Sequence, residues 1–116
     1  MKEHIFLHRE ANPTPIVDRP WAGTVAEGEP HTLTNNGYSS ADGTLHMGVW
    51  ESSVGVWKVD YKVWEYCNFL EGHCILTPEN GEPIHLKAGD VFIIEPGFKG
   101  RWEVVEKVKK YYVIKL

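Results

Sequence analysis

Residues 65–81, "EYCNFLEGHCILTPENG", hold the pattern on which the fold turns. Glu65, Cys67 and Phe69 alternate with Tyr66 and Asn68, the period of a strand with one face turned inward. The Glu71-Gly72 step reads as a two-residue turn that sends the chain back through "HCILT". Such a hairpin pairs Leu70 with His73, Phe69 with Cys74 and Cys67 with Leu76. It puts Glu65, Cys67, Phe69, Cys74 and Leu76 on one face, and Tyr66, Asn68, Leu70, His73, Ile75 and Thr77 on the other. Cys67 and Cys74 become diagonal neighbours about 7 Å or more apart, beyond comfortable disulfide reach. Two free thiols suit a reducing cytoplasm.

On either side of this stretch, strand signals follow one another closely: "LHMGVWE" at 45–51, "VWKVDY" at 56–61, then "PIHLK", "DVFIIE", "RWEVVE" and "KYYVIKL". The breaks are "ESSVG", "PENGEP", "KAGD" and "EPGFKG", and no segment keeps a helical period over three turns. Residues 21–44 alternate short apolar pieces with Gly, Asn, Ser and Pro, which predicts loop with one or two short strands. Asn36-Gly37 and Asp42-Gly43 are turn dipeptides. Residues 1–20, with Pro13, Pro15 and Pro20 in a run of mixed polarity, read as an extended N-terminal arm or edge strand rather than a helix, able to cover a sheet edge. The expectation is an all-β, single-domain antiparallel barrel over 21–116 preceded by that arm.

A chain of 116 residues suits one domain and one core. Five Trp, five Tyr and four Phe are a generous supply for lining a barrel or a pocket. With 12 Lys and Arg against 16 Asp and Glu, no basic field attracts phosphate backbones, so nucleic acid is excluded as a partner. Lys99, Arg101, Lys107, Lys109, Lys110 and Lys115 form a local basic bias, read as a solvated strand face. No window has the length of a membrane span and the start lacks a signal-peptide core, so a cytoplasmic protein without membrane contact is expected.

Three segments, "GVWESSVGVWKVDY" at 48–61, "EYCNFLEGHCILTPENG" and "GDVFIIEPGFKGRWEV" at 89–104, together resemble the cupin superfamily. The likeness is to small single-barrel members related to the cupin domains of ureidoglycine aminohydrolase and ethanolamine-utilisation proteins. It implies a jelly-roll barrel, often dimeric, with two hairpin motifs around one end of a cavity. In metal-binding members the first motif runs His, one residue, His, three or four residues, Glu, then six residues to Gly. Glu65 takes the Glu position relative to Gly72. The His positions fall on Val59 and Tyr61, or on Lys58 and Asp60, and the second-motif His falls on Gly100. No standard metal site is expected, because a catalytic divalent ion wants three or more protein ligands and His is the main neutral one.

The candidate catalytic residues are therefore Glu65, a buried carboxylate that orients or protonates a ligand, and Tyr61. The 57, 59, 61 face of its strand is the more apolar and is expected to point inward. Candidate ligand contacts are Trp57, Cys67, Phe69, Phe92, Lys99 and Trp102, with Cys67 read foremost as a packed thiol and Lys99 as a rim residue. His46 alternates with Gly48 and Trp50 and fits either a pocket or an open face. Three functions compete: a metal-free cupin binding a small molecule, as a homodimer; a metal-dependent aminohydrolase; and a structural barrel without chemistry.

Overall fold

The computed structural model describes residues 3–116; the first two residues of the expected arm lie outside the described residues. A 3-10 turn at His8–Glu10 precedes nine strands among the described residues: β1 Ile16–Val17, β2 Gly23–Glu27, β3 Thr32–Ser39, β4 Leu45–Ser52, β5 Gly55–Asp60, β6 Trp64–Pro78, β7 Ile84–Lys87, β8 Val91–Ile94 and β9 Lys99–Lys115. Every pairing is antiparallel, and the sheet curls into a jelly roll.

Two long strands make the frame. β6 and β9 run side by side from Trp64 opposite Lys115 to Pro78 opposite Gly100. The far half of β9 also pairs with β4, which continues through β3 to β1, while the first half of β6 pairs with β8. The near half of β9 pairs with β5, which continues to β2, and the second half of β6 pairs with β7. Each long strand thus belongs to both layers, and the core lies between them around Trp102, Phe69, Val59, Val104 and Val108.

The turn predicted at Glu71-Gly72 does not form: the chain passes straight through as part of β6. The register instead slips between Phe69 and Glu71, between Glu71 and His73, and between His73 and Cys74. Gly72 supplies the positive φ of +93° that a hairpin would also have needed, but uses it to bend the strand. A Cβ there would come within 2.2 Å of the Lys107 carbonyl oxygen. Long-range pairing with β9 on both sides of the bend outweighs the local turn signal. The predicted faces nevertheless hold, since Glu65, Cys67, Phe69, Cys74 and Leu76 are all buried. A bulge and a two-residue turn both shift the alternation by one between Phe69 and Cys74. Both cysteines are free thiols.

Two further readings change. "RWEVVE" and "KYYVIKL" are one strand, β9, and Asn36-Gly37 is a bulge inside β3 rather than a turn. Asp42-Gly43 does turn, with Gly43 at φ +75°. The Asp42 carboxylate accepts from the Ser40 and Thr44 hydroxyls and the Thr44 amide, which holds its pKa down at about 2. Among residues 3–20, Ile16 and Val17 pair with Thr34 and Leu33 on the edge of β3, and Phe6 and His8 pack on Tyr38 and Tyr111.

Candidate functional site

Three strands aim their inward side chains at one end of the barrel. On β5 the alternation buries Trp57 and Val59 and exposes Lys58 and Asp60, and Tyr61 follows, buried, just past the strand end. The "EPGFKG" loop locks it there: the Tyr61 amide donates to the Phe98 carbonyl at 2.8 Å, and the Gly97 amide donates to the Tyr61 carbonyl at 2.8 Å. On β6 the inward set begins with Glu65 and Cys67. On β9 it runs Trp102, Val104, Val108, Lys110 and Tyr112.

Lys110 is the unexpected member. Its neighbours in sequence place it in a basic, solvated run, yet it is 1% exposed. The Lys110 ammonium donates to Glu65 Oε2 at 2.8 Å, and the Tyr61 hydroxyl donates to Glu65 Oε1 at 2.7 Å. Glu65 therefore accepts on both oxygens. The ammonium also lies 3.7 Å from Cys67 Sγ and 4.6 Å from the ring centroids of both Trp50 and Trp102, within cation–π range of two indoles. The signal for Lys110 was present in the period of two: Trp102, Val104, Val108 and Tyr112 are all even and all apolar, so 110 falls on their face.

Burial alone pulls the Lys110 pKa down, but Cys67, Glu65 and the hydrogen bond to Glu65 outweigh it and leave it above the ordinary lysine value. Burial pushes the Cys67 thiol up to about 12, more than the Lys110 ammonium beside it pulls down. Cys67 is accordingly a buried thiol that holds its proton tightly. Burial, then the Glu65 and Cys67 charges, hold the Tyr61 hydroxyl well above its usual range.

A cavity of about 410 Å³ opens above this group. Glu65, Lys110, Tyr61 and Tyr112 form its polar floor, Trp21, Trp50, Val63 and Ile114 its apolar walls, and Arg19, Asp60 and Lys62 its mouth. Tyr112 donates to Asn36 Oδ1 at 2.6 Å. His46 lines the cavity too; its Nε2 faces the Gly43 carbonyl at 3.0 Å and so carries the hydrogen, leaving Nδ1 to accept from the Ser39 hydroxyl at 2.8 Å.

The remaining residues singled out from sequence lie off the cavity wall. Trp57 is in the core, its indole donating to Ser52 Oγ at 3.1 Å. Cys67 and Trp102 sit beneath Lys110, and the Trp102 indole donates to Cys74 Sγ at 3.2 Å. Phe69 packs edge-on against Phe92, centroids 5.2 Å apart, and Phe92 faces a separate groove with Leu86 and Phe98. Lys99 is exposed opposite Asp60. Trp21, Asn36 and Arg19 lie in segments without a strong local pattern, and Tyr112 lies in the strand signal "KYYVIKL", whose inward face is not assigned from sequence.

The donor set does not fit a divalent metal. Among the described residues no group of three or more His, Cys, Asp and Glu could hold one. Val59 and Gly100, two of the positions where the resemblance expects His, face each other across β5 and β9. A Cβ on Gly100 would come within 2.1 Å of the Thr77 carbonyl oxygen, which leaves no room for an imidazole. The carboxylate at the third position already carries an ammonium, and a divalent ion 4 Å from it would be repelled by roughly 8 kcal/mol at an effective dielectric of about 20. His73 and His85 meet on the outside of the barrel, Nε2 to Nδ1 at 3.0 Å.

Comparison with known families settles which barrel this is, since the EutQ-like cupin domain matches residues 39–112. The chain belongs to the EutQ-like cupin family. Among solved structures, this cupin is similar to a DUF861-family protein of unknown function from Pseudomonas syringae (TM-score 0.72, 26% identity, covering 94% of this chain and 46% of that one). It is also similar to a DUF861-family protein from Thermotoga maritima (TM-score 0.54, 34% identity, 55% of this chain and 73% of that one). An ethanolamine utilization protein Q from Salmonella typhimurium shares the fold (TM-score 0.63, 24% identity, 72% of this chain and 68% of that one). No curated protein matches this cupin in sequence. Among the described residues no helix is long and apolar enough to cross a membrane.

Proposed function

We propose that this cupin binds a small organic molecule in its barrel, over Glu65, Tyr61 and Lys110, without a metal cofactor. One observation carries the reading: a buried Glu65–Lys110 ion pair borders a cavity of about 410 Å³. A buried ion pair is weak support for stability, since well-packed apolar residues of similar volume often do as well or better in its place. Its position at the floor of a cavity walled by Trp21, Trp50 and Val63 supports a role in holding a ligand. Glu65 and Tyr61 are the polar groups that would meet the ligand first, as acid–base partners if the barrel is catalytic. A metal-dependent aminohydrolase is the weaker reading because the positions that would ligate an ion are Val59, Tyr61 and Gly100.

The test is a thermal-shift screen of the full chain against ureides, amino acids, small sugars and aromatic carboxylates. At least one class should raise the melting temperature, and Val63→Trp, which fills the cavity from its wall, should abolish the rise. No response from the unmodified protein to any class would sink the proposal in favour of a structural barrel.

A cytoplasmic homodimer completes the proposal. Two buried free thiols support the compartment, and the outer face of β6, β8 and β9 supports self-association. There Tyr66 lies between Ile93, 53% exposed, and Val113. Sedimentation should give a dimer that Ile93→Glu weakens.

A further inference from the structure

We propose that Lys110 is the built-in cation of this barrel. Its ammonium holds the place at Glu65 that metal-binding relatives of the fold give to a divalent ion, and it offers that charge to the carboxylate or carbonyl oxygen of a ligand in the cavity. The ligand half of this proposal rests on the function proposed above; the replacement of a metal does not.

The geometry is that of a held cation. Glu65 stands at the carboxylate position of the motif, seven residues before Gly72, and the nearest positive charge is Lys110 Nζ at 2.8 Å. Two indole faces at 4.6 Å and the Cys67 sulfur at 3.7 Å surround it. These are groups that favour a cation and leave no second anion to compete for it. A lysine that served only to neutralise Glu65 would be as well placed if sealed in the core, yet both side chains border the cavity.

The charge around the cavity gives the ligand class. Glu65 and Lys110 cancel, and Asp60 and Lys62 pair at the mouth at 3.3 Å. Arg19 adds one positive charge at the mouth with no ion-pair partner among the described residues. The lining side chains leave a single positive charge in surplus, beside the aromatic rings of Trp21, Trp50 and Tyr61. It suits a monoanion with a flat apolar body, its oxygens between Lys110 and Arg19.

Removing each partner of the pair in turn separates this from a structural ion pair, because the two effects should have opposite signs. Benzoate binding to the full chain is measured by calorimetry, and Co²⁺ binding by absorption, where a thiolate-to-cobalt band reports Cys67. Lys110→Met should weaken benzoate at least tenfold, and the unmodified protein should bind no Co²⁺. Glu65→Gln, which removes the carboxylate that competes for the ammonium, should bind benzoate more tightly than the unmodified protein. Lys110→Gln, which keeps a donor to Glu65 without the charge, serves if Lys110→Met does not fold. Equal weakening of benzoate in both variants, or Co²⁺ bound by the unmodified protein and lost in Glu65→Gln, would overturn the proposal. If the unmodified protein binds no benzoate, the ligand half fails, and the cobalt measurement still decides the cation.

Discussion

The two halves of the β6–β9 ladder have different interiors. In the half from Trp64 to Phe69, opposite Lys110 to Lys115, the inward residues include Glu65, Lys110 and Tyr112, and they border a cavity. In the half from Cys74 to Pro78, opposite Gly100 to Val104, they are Cys74, Leu76, Trp102 and Val104, all 4% exposed or less and packed together. The same two strands build both, and the bend at Gly72 is the boundary. Charge is buried in the half that borders the cavity at Tyr61 and Trp50; the other half is apolar inside and supplies the packing that holds the charge there.

The comparison breaks most sharply at Lys110. Lys110→Met leaves Glu65 buried beside Tyr61 alone and should cost about 3–5 kcal/mol in urea unfolding, whereas Lys110→Met combined with Glu65→Leu should recover most of that loss. Failure of the double variant to recover would mean the pair itself stabilises this end. Leu76→Ala, in the apolar half, should cost about 2–5 kcal/mol with ligand response in the folded protein unchanged. A lost ligand response there would show that the halves are not independent.

Alkali should sharpen the same contrast. Cys67 and Cys74, whose unfolded thiols titrate near 9.0, are both pushed up to about 12 by burial, and Tyr61 and Tyr112 are raised as well. The folded chain therefore holds more protons than the unfolded one between pH 9 and about 12, and stability falls as pH rises through that window. The Lys110 contribution has the same sign: it is complete below 10.5 and is lost as pH climbs through its raised folded value. Urea midpoints should fall steeply from pH 9 to 11; a flat profile there would contradict the burial of these groups. The smallest effect belongs to the rim, where Lys99→Ala should change stability by less than about 0.5 kcal/mol and leave ligand response intact.

Much of this was legible in the residues. Period-two alternation located most strands and the inward faces of β5 and β6, because burying one side of a sheet imposes that pattern locally. Glu65 and Tyr61 could be named because their spacing to Gly72 carries the family motif. Lys110 could not be separated from Lys107 and Lys109 by composition, although the even-numbered apolar residues of β9 already marked its face.

What the sequence by itself determined was an all-β chain, its core residues and the absence of imidazole at the expected ligand positions; these follow from local alternation and residue identity. Tertiary structure alone decided that Glu71-Gly72 bends a strand instead of turning it, since that depends on Lys107 and Val108 lying against Gly72. It also decided that a lysine 45 residues downstream reaches Glu65. The partner of a buried charge is set by which strands lie side by side, and strand neighbourhood is not written in either strand.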